Sequence, residues 1–220
     1  MEKAKRFERV FPACGRTWRI RMADMDRLWD EMGVKNGEER LPYWNEVWPS
    51  SLAMAGWLVE VEEDIRGKSC LDLGCGLGFT ALVGKWLGAE VVGADYEGDA
   101  LEYAAMNEKL NGMEGIRWEM LDWREPEPHR GRFDRIWASD VMYEKDASEP
   151  LAAFFSVALK PGGRAWLAEP GREVFNCFPE ALLKYGMAHR RMCSLPVFPL
   201  TVQDVPVPVT IWEINRMAMA

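Results

Sequence analysis

The chain is poor in the residues that build metal centres. It has two histidines (His129, His189) and five scattered cysteines (Cys14, Cys70, Cys75, Cys177, Cys193). With no C-x-x-C pair, no zinc cage of ordinary spacing can form, and no metal is expected. An odd, dispersed set of cysteines reads as free thiols in a reducing compartment. Cations are in deficit too: 27 Lys and Arg against 35 Asp and Glu, a formal net charge of -8. Binding nucleic acid over a broad surface needs clustered Lys and Arg, so no nucleic-acid partner is expected. The short basic clusters HRGR (129–132) and HRRM (189–192) read as solvated turns. No apolar run approaches the roughly 18 residues that a spanning helix needs. The amino-terminal MEKAKRFERVF has no apolar core of signal type and carries Glu2 and Glu8. A soluble, cytoplasmic protein without a membrane partner is the expectation. Repeats, low-complexity tracts and long linkers are also missing, and 220 residues suit one compact unit.

What is present is alternation. SCLDLG, AEVVGAD, GIRWEML, RFDRIWASD and GRAWLAEP read as strands. Between them lie helical patterns: FTALVGKWLG closed by Gly88, GDALEYAAMNEKLNG, and EPLAAFFSVALK stopped by Pro161-Gly162-Gly163. Strands alternating with helices imply parallel pairing through right-handed crossovers, hence a doubly wound, Rossmann-like α/β sheet. After a helix near FPEALLKYG, the segments AHRRMCSLPVF and PVPVTIWEINR have no helix between them. They predict a carboxyl-terminal hairpin and an antiparallel strand, making seven strands in all. Upstream, RTWRIRM reads as a strand, ADMDRLWDEMG as a short helix and LPYWNEVWP as a Trp-rich turn. SSLAMAGWLVEVEED reads as an amphipathic helix with a Ser N-cap after Pro49. Residues 1–49 are taken as a cap and 50–220 as the main domain.

The first core strand runs into SCLDLGCGLGFT. Gly74, Gly76 and Gly78 follow Asp72, with Cys75 inside the turn. Glycines there admit close backbone approach, and the following helix offers free N–H groups. A dinucleotide fingerprint needs G-x-G-x-x-G/A, but counted from Gly74 the third position is Phe79. The D-x-G-x-G-x-G pattern instead suits an adenosine carrying an amino-acid tail. Asp95, followed by Tyr96, ends the second strand where a carboxylate meets ribose hydroxyls, or where an acid simply faces a helix N-terminus. Asp122 and Trp123 end the third strand. The pair could bond the adenine amino group and cover its ring, and a Trp packed in the core is the plainer alternative.

LDLGCGLG, the acid after the second strand, DW after the third and FDRIWASDVMYE together resemble the class I, seven-strand S-adenosylmethionine-dependent methyltransferases, over residues 44–215. YWNEVWPSSLAMAGWL and D-V-M-Y (Asp140 to Tyr143) narrow the resemblance to seven-strand protein-lysine methyltransferases. Members that methylate an electron-transfer flavoprotein subunit share the W-P turn. The resemblance implies S-adenosyl-L-methionine as methyl donor, S-adenosyl-L-homocysteine as product, and a protein substrate presenting a lysine. It puts Ser139 near the cofactor and Asp140 and Tyr143 on the acceptor side. It lays Trp48 over the donor's methionine or adenosine portion and sets Trp44 nearer the substrate entrance, the alternative being that both indoles pack the cap on the sheet.

Further absences sharpen the expectation. Val141 and Met142 stand where enzymes acting on planar amide or exocyclic amino nitrogens carry two prolines, which disfavours such acceptors. No G-x-S-x-G appears, so nucleophilic hydrolysis is unsupported. A small-molecule N- or O-methyltransferase of the same fold stays open as an alternative, as does a non-catalytic cofactor-binding module. A monomer is the simplest expectation.

Overall fold

Two charged, alternating segments at the amino-terminal end form a structure of their own. The computed structural model describes residues 7–25, 28, 42–200 and 205–217. In it β1 (Phe7–Ala13) and β2 (Arg16–Met22) pair as an antiparallel hairpin. Cys14 and Gly15 make its two-residue turn, both with positive φ, 53° and 71°, the backbone twist that tight hairpins favour. The sequence reading foresaw β2 and missed β1. Its helix over ADMDRLWDEMG falls largely outside the described residues.

Among the described residues the other edge of β2 has no strand beside it. Asparagine side chains take the strand's place, each accepting from a backbone N–H and donating to the carbonyl of the same residue. Asn111 pairs with Arg19 (3.0 and 2.7 Å), Asn107 with Arg21 (2.7 and 3.2 Å) and Asn45 with Ala23 (2.8 and 3.1 Å). Asn107 is fully buried and also donates to the carbonyl of Leu77 at 3.0 Å, inside the glycine turn.

After the hairpin come helix α1 (Pro49–Glu60) and a single turn, α2 (Glu62–Ile65). Pro49 holds Trp48 extended (ψ 154°) and itself sits at the first helical position, where its missing N–H costs nothing. Trp48, not a serine, is therefore the N-cap, and Ser50 is buried within the helix. The main sheet follows: β3 (Ser69–Leu73), helix α3 (Phe79–Trp86), β4 (Glu90–Asp95), helix α4 (Gly98–Leu110), β5 (Arg117–Met120) and β6 (Phe133–Ser139). It is completed by helix α5 (Ser148–Ala158), β7 (Leu159–Glu169), helix α6 (Phe178–Lys184), β8 (Met187–Val197) and β9 (Val207–Arg216). The strand order is β5-β4-β3-β6-β7-β9-β8. β3 to β7 run parallel, and β9 joins antiparallel between β7 and β8, as the missing crossover helix predicts. HRRM lies within edge strand β8, not in a turn. Pro161-Gly162-Gly163 falls inside β7, where the pairing with β6 shifts register.

Period-2 alternation splits the apolar residues between two faces. Cys70, Trp137 and Trp166 point with α1, α3 and the hairpin. Leu71, Ile136 and Leu167 point with α5 and α6. Trp18 of β2 is fully buried and meets Phe79 and Trp86 of α3 edge-on at 5.7 and 6.0 Å, so the hairpin belongs to the first core. Among the described residues no helix is long and apolar enough to cross a membrane.

Asn107 ties the hairpin to the glycine turn, so its loss strands several buried backbone groups. Asn107→Ala is expected to lower stability by roughly 2–4 kcal/mol, seen as a Tm lower by roughly 5–12 °C. Asn111→Ala, at the exposed end of the row, costs less.

Candidate functional site

Strand order reverses at β3, with β4 on one side and β6 on the other. Doubly wound sheets open a crevice at such a switch point, beyond the carboxyl ends of the strands. Here that crevice is an open cleft between the glycine turn, the Trp-rich turn and the segment after β6.

Its floor is the glycine turn. Gly74 and Gly76 have φ of 70° and 50°, which side chains resist. A Cβ on Gly74 would lie 2.7 Å from Val141, and one on Gly76 would lie 3.0 Å from the carbonyl oxygen of Trp44. The turn is thus pressed between the D-V-M-Y segment and the Trp-rich turn, with backbone open to the cleft. Asp95 holds it in place: its carboxylate accepts from Gly76 N–H at 2.9 Å and Glu97 N–H at 3.1 Å. Burial raises the Asp95 pKa, and those N–H bonds pull it back. Cys75 also lines the cleft, and burial keeps its thiol well above the ordinary range.

Asp72 and Gly78 lie beneath this surface. Asp72 is 1% exposed and accepts from the Thr80 hydroxyl at 2.7 Å. Burial pushes its pKa up to about 7. Gly78 starts α3 with Trp118 and Ala104 against it. Both therefore act on the turn from behind.

Aromatic rings make the walls. Trp48, Trp123, Tyr96, Tyr143 and Tyr43 line the cleft. The Trp48 indole donates to the Tyr43 carbonyl at 2.8 Å, and the Tyr43 and Tyr143 rings are 5.0 Å apart. Burial raises the Tyr143 pKa, as does Glu144. Trp44 contributes backbone to the cleft while its ring packs on Tyr103 of α4, 5.4 Å away. Asp122 faces a neighbouring hollow in a bidentate pair with Arg124, whose hydrogen bonds lower its pKa.

The fourth-strand segment is the most constrained. Ser139 lines the cleft with a buried hydroxyl that has no partner among the described residues. Asp140 has φ of 57°, a left-handed conformation unusual for a side chain with a Cβ and frequent at functional sites. Its backbone N–H donates to the Ala168 carbonyl at 3.0 Å. Its carboxylate is paired with Arg172, Nε to Oδ1 at 2.6 Å and Nη2 to Oδ2 at 3.1 Å. Sequence reasoning missed Arg172, Glu97 and Tyr43 as site residues. Tyr43 stood inside the quoted W-P stretch, whereas Arg172 carries no motif and arrives through the turn after β7.

These groups fit an S-adenosylmethionine-like ligand. Side-chain-free backbone at Gly74 and Gly76, an unpartnered hydroxyl at Ser139, a carboxylate at Asp95 and flanking aromatic faces supply donors, an acceptor and cation-attracting walls. Trp48, Gly74, Gly76, Asp95, Trp123 and Ser139 all line the cleft.

A buried carboxylic acid with a raised pKa stabilises the fold while neutral, fully so below its unfolded value near 3.9. That contribution fades as pH rises through about 7. Asp72→Asn is therefore expected to melt close to wild type at pH 4, then gain several degrees over it as pH rises to 7, with little change above 8. Thermal melts across that range check this.

The sequence matches the profile of the lysine methyltransferase family over residues 33–168. The electron transfer flavoprotein beta subunit lysine methyltransferase of Rattus norvegicus is 32% identical over 137 residues, 61% of this chain and 53% of the relative. The chain thus spans about half the length of that curated relative. Among solved structures, a putative RNA methyltransferase from Pyrococcus horikoshii superposes with a TM-score of 0.65 at 16% identity, covering 89% of this chain and 100% of that one. A TehB-like SAM-dependent methyltransferase from Corynebacterium glutamicum gives 0.57 at 20% identity, covering 87% and 96%. At such identities these two structures speak for the fold alone. With the family profile spanning well over half of its residues and the family's seven-strand sheet closing on the glycine turn, this chain belongs to the lysine methyltransferase family.

Proposed function

We propose that the protein is an S-adenosyl-L-methionine-dependent protein-lysine N-methyltransferase, cytoplasmic and monomeric, with residues 1–49 as its cap. The observation that carries this reading is the convergence of the glycine turn, the W-P turn and Asp140-Tyr143 on one cleft. When bound, the donor supplies a methyl on a sulfonium sulfur. The new N–C bond forms as the C–S bond breaks, and sulfur keeps the electron pair in S-adenosyl-L-homocysteine.

The chain's own residues bind, orient and exclude water. Asp95 and Ser139 address hydroxyl and amino groups of the donor, and Trp123 covers its adenine. Trp48 sets an aromatic face near the sulfonium, an attraction of about 0.5–2 kcal/mol. A free lysine is protonated, with pKa near 10.4 in water, and an apolar aromatic slot favours the neutral amine that transfer requires. Asp140 accepts a hydrogen bond from that amine, and Tyr143 with Tyr43 forms the wall beside it. The relative named above supports an electron-transfer flavoprotein beta subunit as acceptor. A small-molecule acceptor fits less well, because the cleft mouth is bordered by exposed Tyr43 and Tyr96 with no enclosing lid among the described residues.

The test uses purified protein, methyl-labelled donor, and either host lysate or purified electron-transfer flavoprotein beta subunit. One labelled band yielding methyl-lysine on digestion is expected, with the rate in Asp140→Ala reduced on the order of 100-fold or more. Label confined to low-mass products would replace the protein acceptor with a small molecule. An unaffected Asp140→Ala would remove that residue from the acceptor side.

A further inference from the structure

We infer that Arg172 is a positioning residue for the acceptor: it stays paired with Asp140 and cancels that carboxylate's charge, so that the site selects a lysine amine without its proton. This rests on the lysine reading above.

Asp140's side chain is 5% exposed, and Arg172 places one N–H on each of its oxygens. An ionised carboxylate accepts at about four positions, so each oxygen keeps one for an incoming N–H. A lone carboxylate at that wall would favour the ammonium form of lysine, which has no lone pair to attack with. Arginine stays charged at any working pH, so the cancellation is permanent.

The pair is built in. Glu169, 5% exposed at the end of β7, accepts from the backbone N–H of Arg172 and folds the turn that delivers the guanidinium. The hydrogen bond to Asp140 raises the Arg172 pKa above its ordinary value. The surroundings are acidic. Glu169 lies behind the guanidinium and Glu46 beside it in the adjoining groove. Asp95 and Glu97 stand on the donor side of the cleft, which Tyr43 and Tyr143 also line. Glu46 is itself paired with Arg9 at 2.9 Å, so without Arg172 it is the other carboxylates of that set that would stabilise the protonated amine.

The experiment measures single-turnover methyl transfer to purified electron-transfer flavoprotein beta subunit from pH 6.5 to 10, with donor pre-bound. In wild type the rate is expected to rise with pH and level off well below 10.4, the value for free lysine. Arg172→Met should move that midpoint up by about one pH unit or more, a roughly tenfold or greater loss at pH 7.5 that closes toward pH 10. Arg172→Gln keeps an N–H for Asp140 without the charge and should shift likewise. Arg172→Lys keeps the charge and should hold the wild-type midpoint with a lower plateau. Melting curves and S-adenosyl-L-homocysteine affinity by tryptophan fluorescence verify that each variant folds. A uniform loss at every pH, or an unmoved midpoint in both uncharged variants, would overturn the inference and leave Arg172 a structural tie. Wild-type protein that methylates no lysine at all would instead overturn the function itself, and with it this role.

Discussion

The hydrogen bonds that Asp95 accepts from Gly76 and Glu97 are the constraint on which the site depends. They join the ends of two adjacent strands and set the path of a turn that has no side chains to hold it. Because Gly76 is pressed against the Trp44 carbonyl, the same bonds also locate the W-P turn. Trp48 then follows, fixed on one side by Pro49 and on the other by its bond to Tyr43. A single carboxylate thus positions both the floor and one wall of the cleft.

Three acids around this cleft are kept out of water by three different means. Asp72 is buried under the turn, where burial outweighs the hydrogen bonds it receives, the Thr80 hydroxyl's first among them, and its pKa rises to about 7. Asp95 is nearly as buried but receives two backbone N–H groups, so the upward push of burial is partly opposed. Asp140 receives a full guanidinium. The first is buried deepest, the second is met by two backbone N–H groups, and the third by a guanidinium. Neighbouring carboxylates can in this way do unlike jobs within one small volume.

Much of the sheet was legible because its signals are local. Alternating apolar runs, Gly88 as a stop, and the absence of a helix before the last strand led to seven strands with the correct antiparallel ending. The glycine spacing and the D-V-M-Y segment likewise marked residues that the fold brings to one cleft. What was missed is tertiary. β1, with Glu8 and Arg9 near its start, is held by pairing to β2 and so shows only a weak pattern of its own. The serine N-cap failed because Pro49 had already begun the helix one residue earlier. Arg172 is 32 residues from Asp140 and reaches it only because β6 and β7 are neighbours in the sheet. Asp122 stands in a bidentate surface pair with Arg124, a partner that the DW motif alone did not indicate.

The row of asparagines along β2 also has a metrical consequence. Asn107 and Asn111 are four apart on a helix, an axial advance of roughly 6.0 Å. Arg19 and Arg21 are two apart on a strand, an advance of roughly 6.8 Å. The two repeats agree over one step and drift apart with each further one, so a helix can imitate a neighbouring strand for two rungs and not for many. The third rung, at Ala23, is supplied by Asn45 from a different segment. Three amides from two places thereby close an edge that would otherwise invite another chain to pair with it.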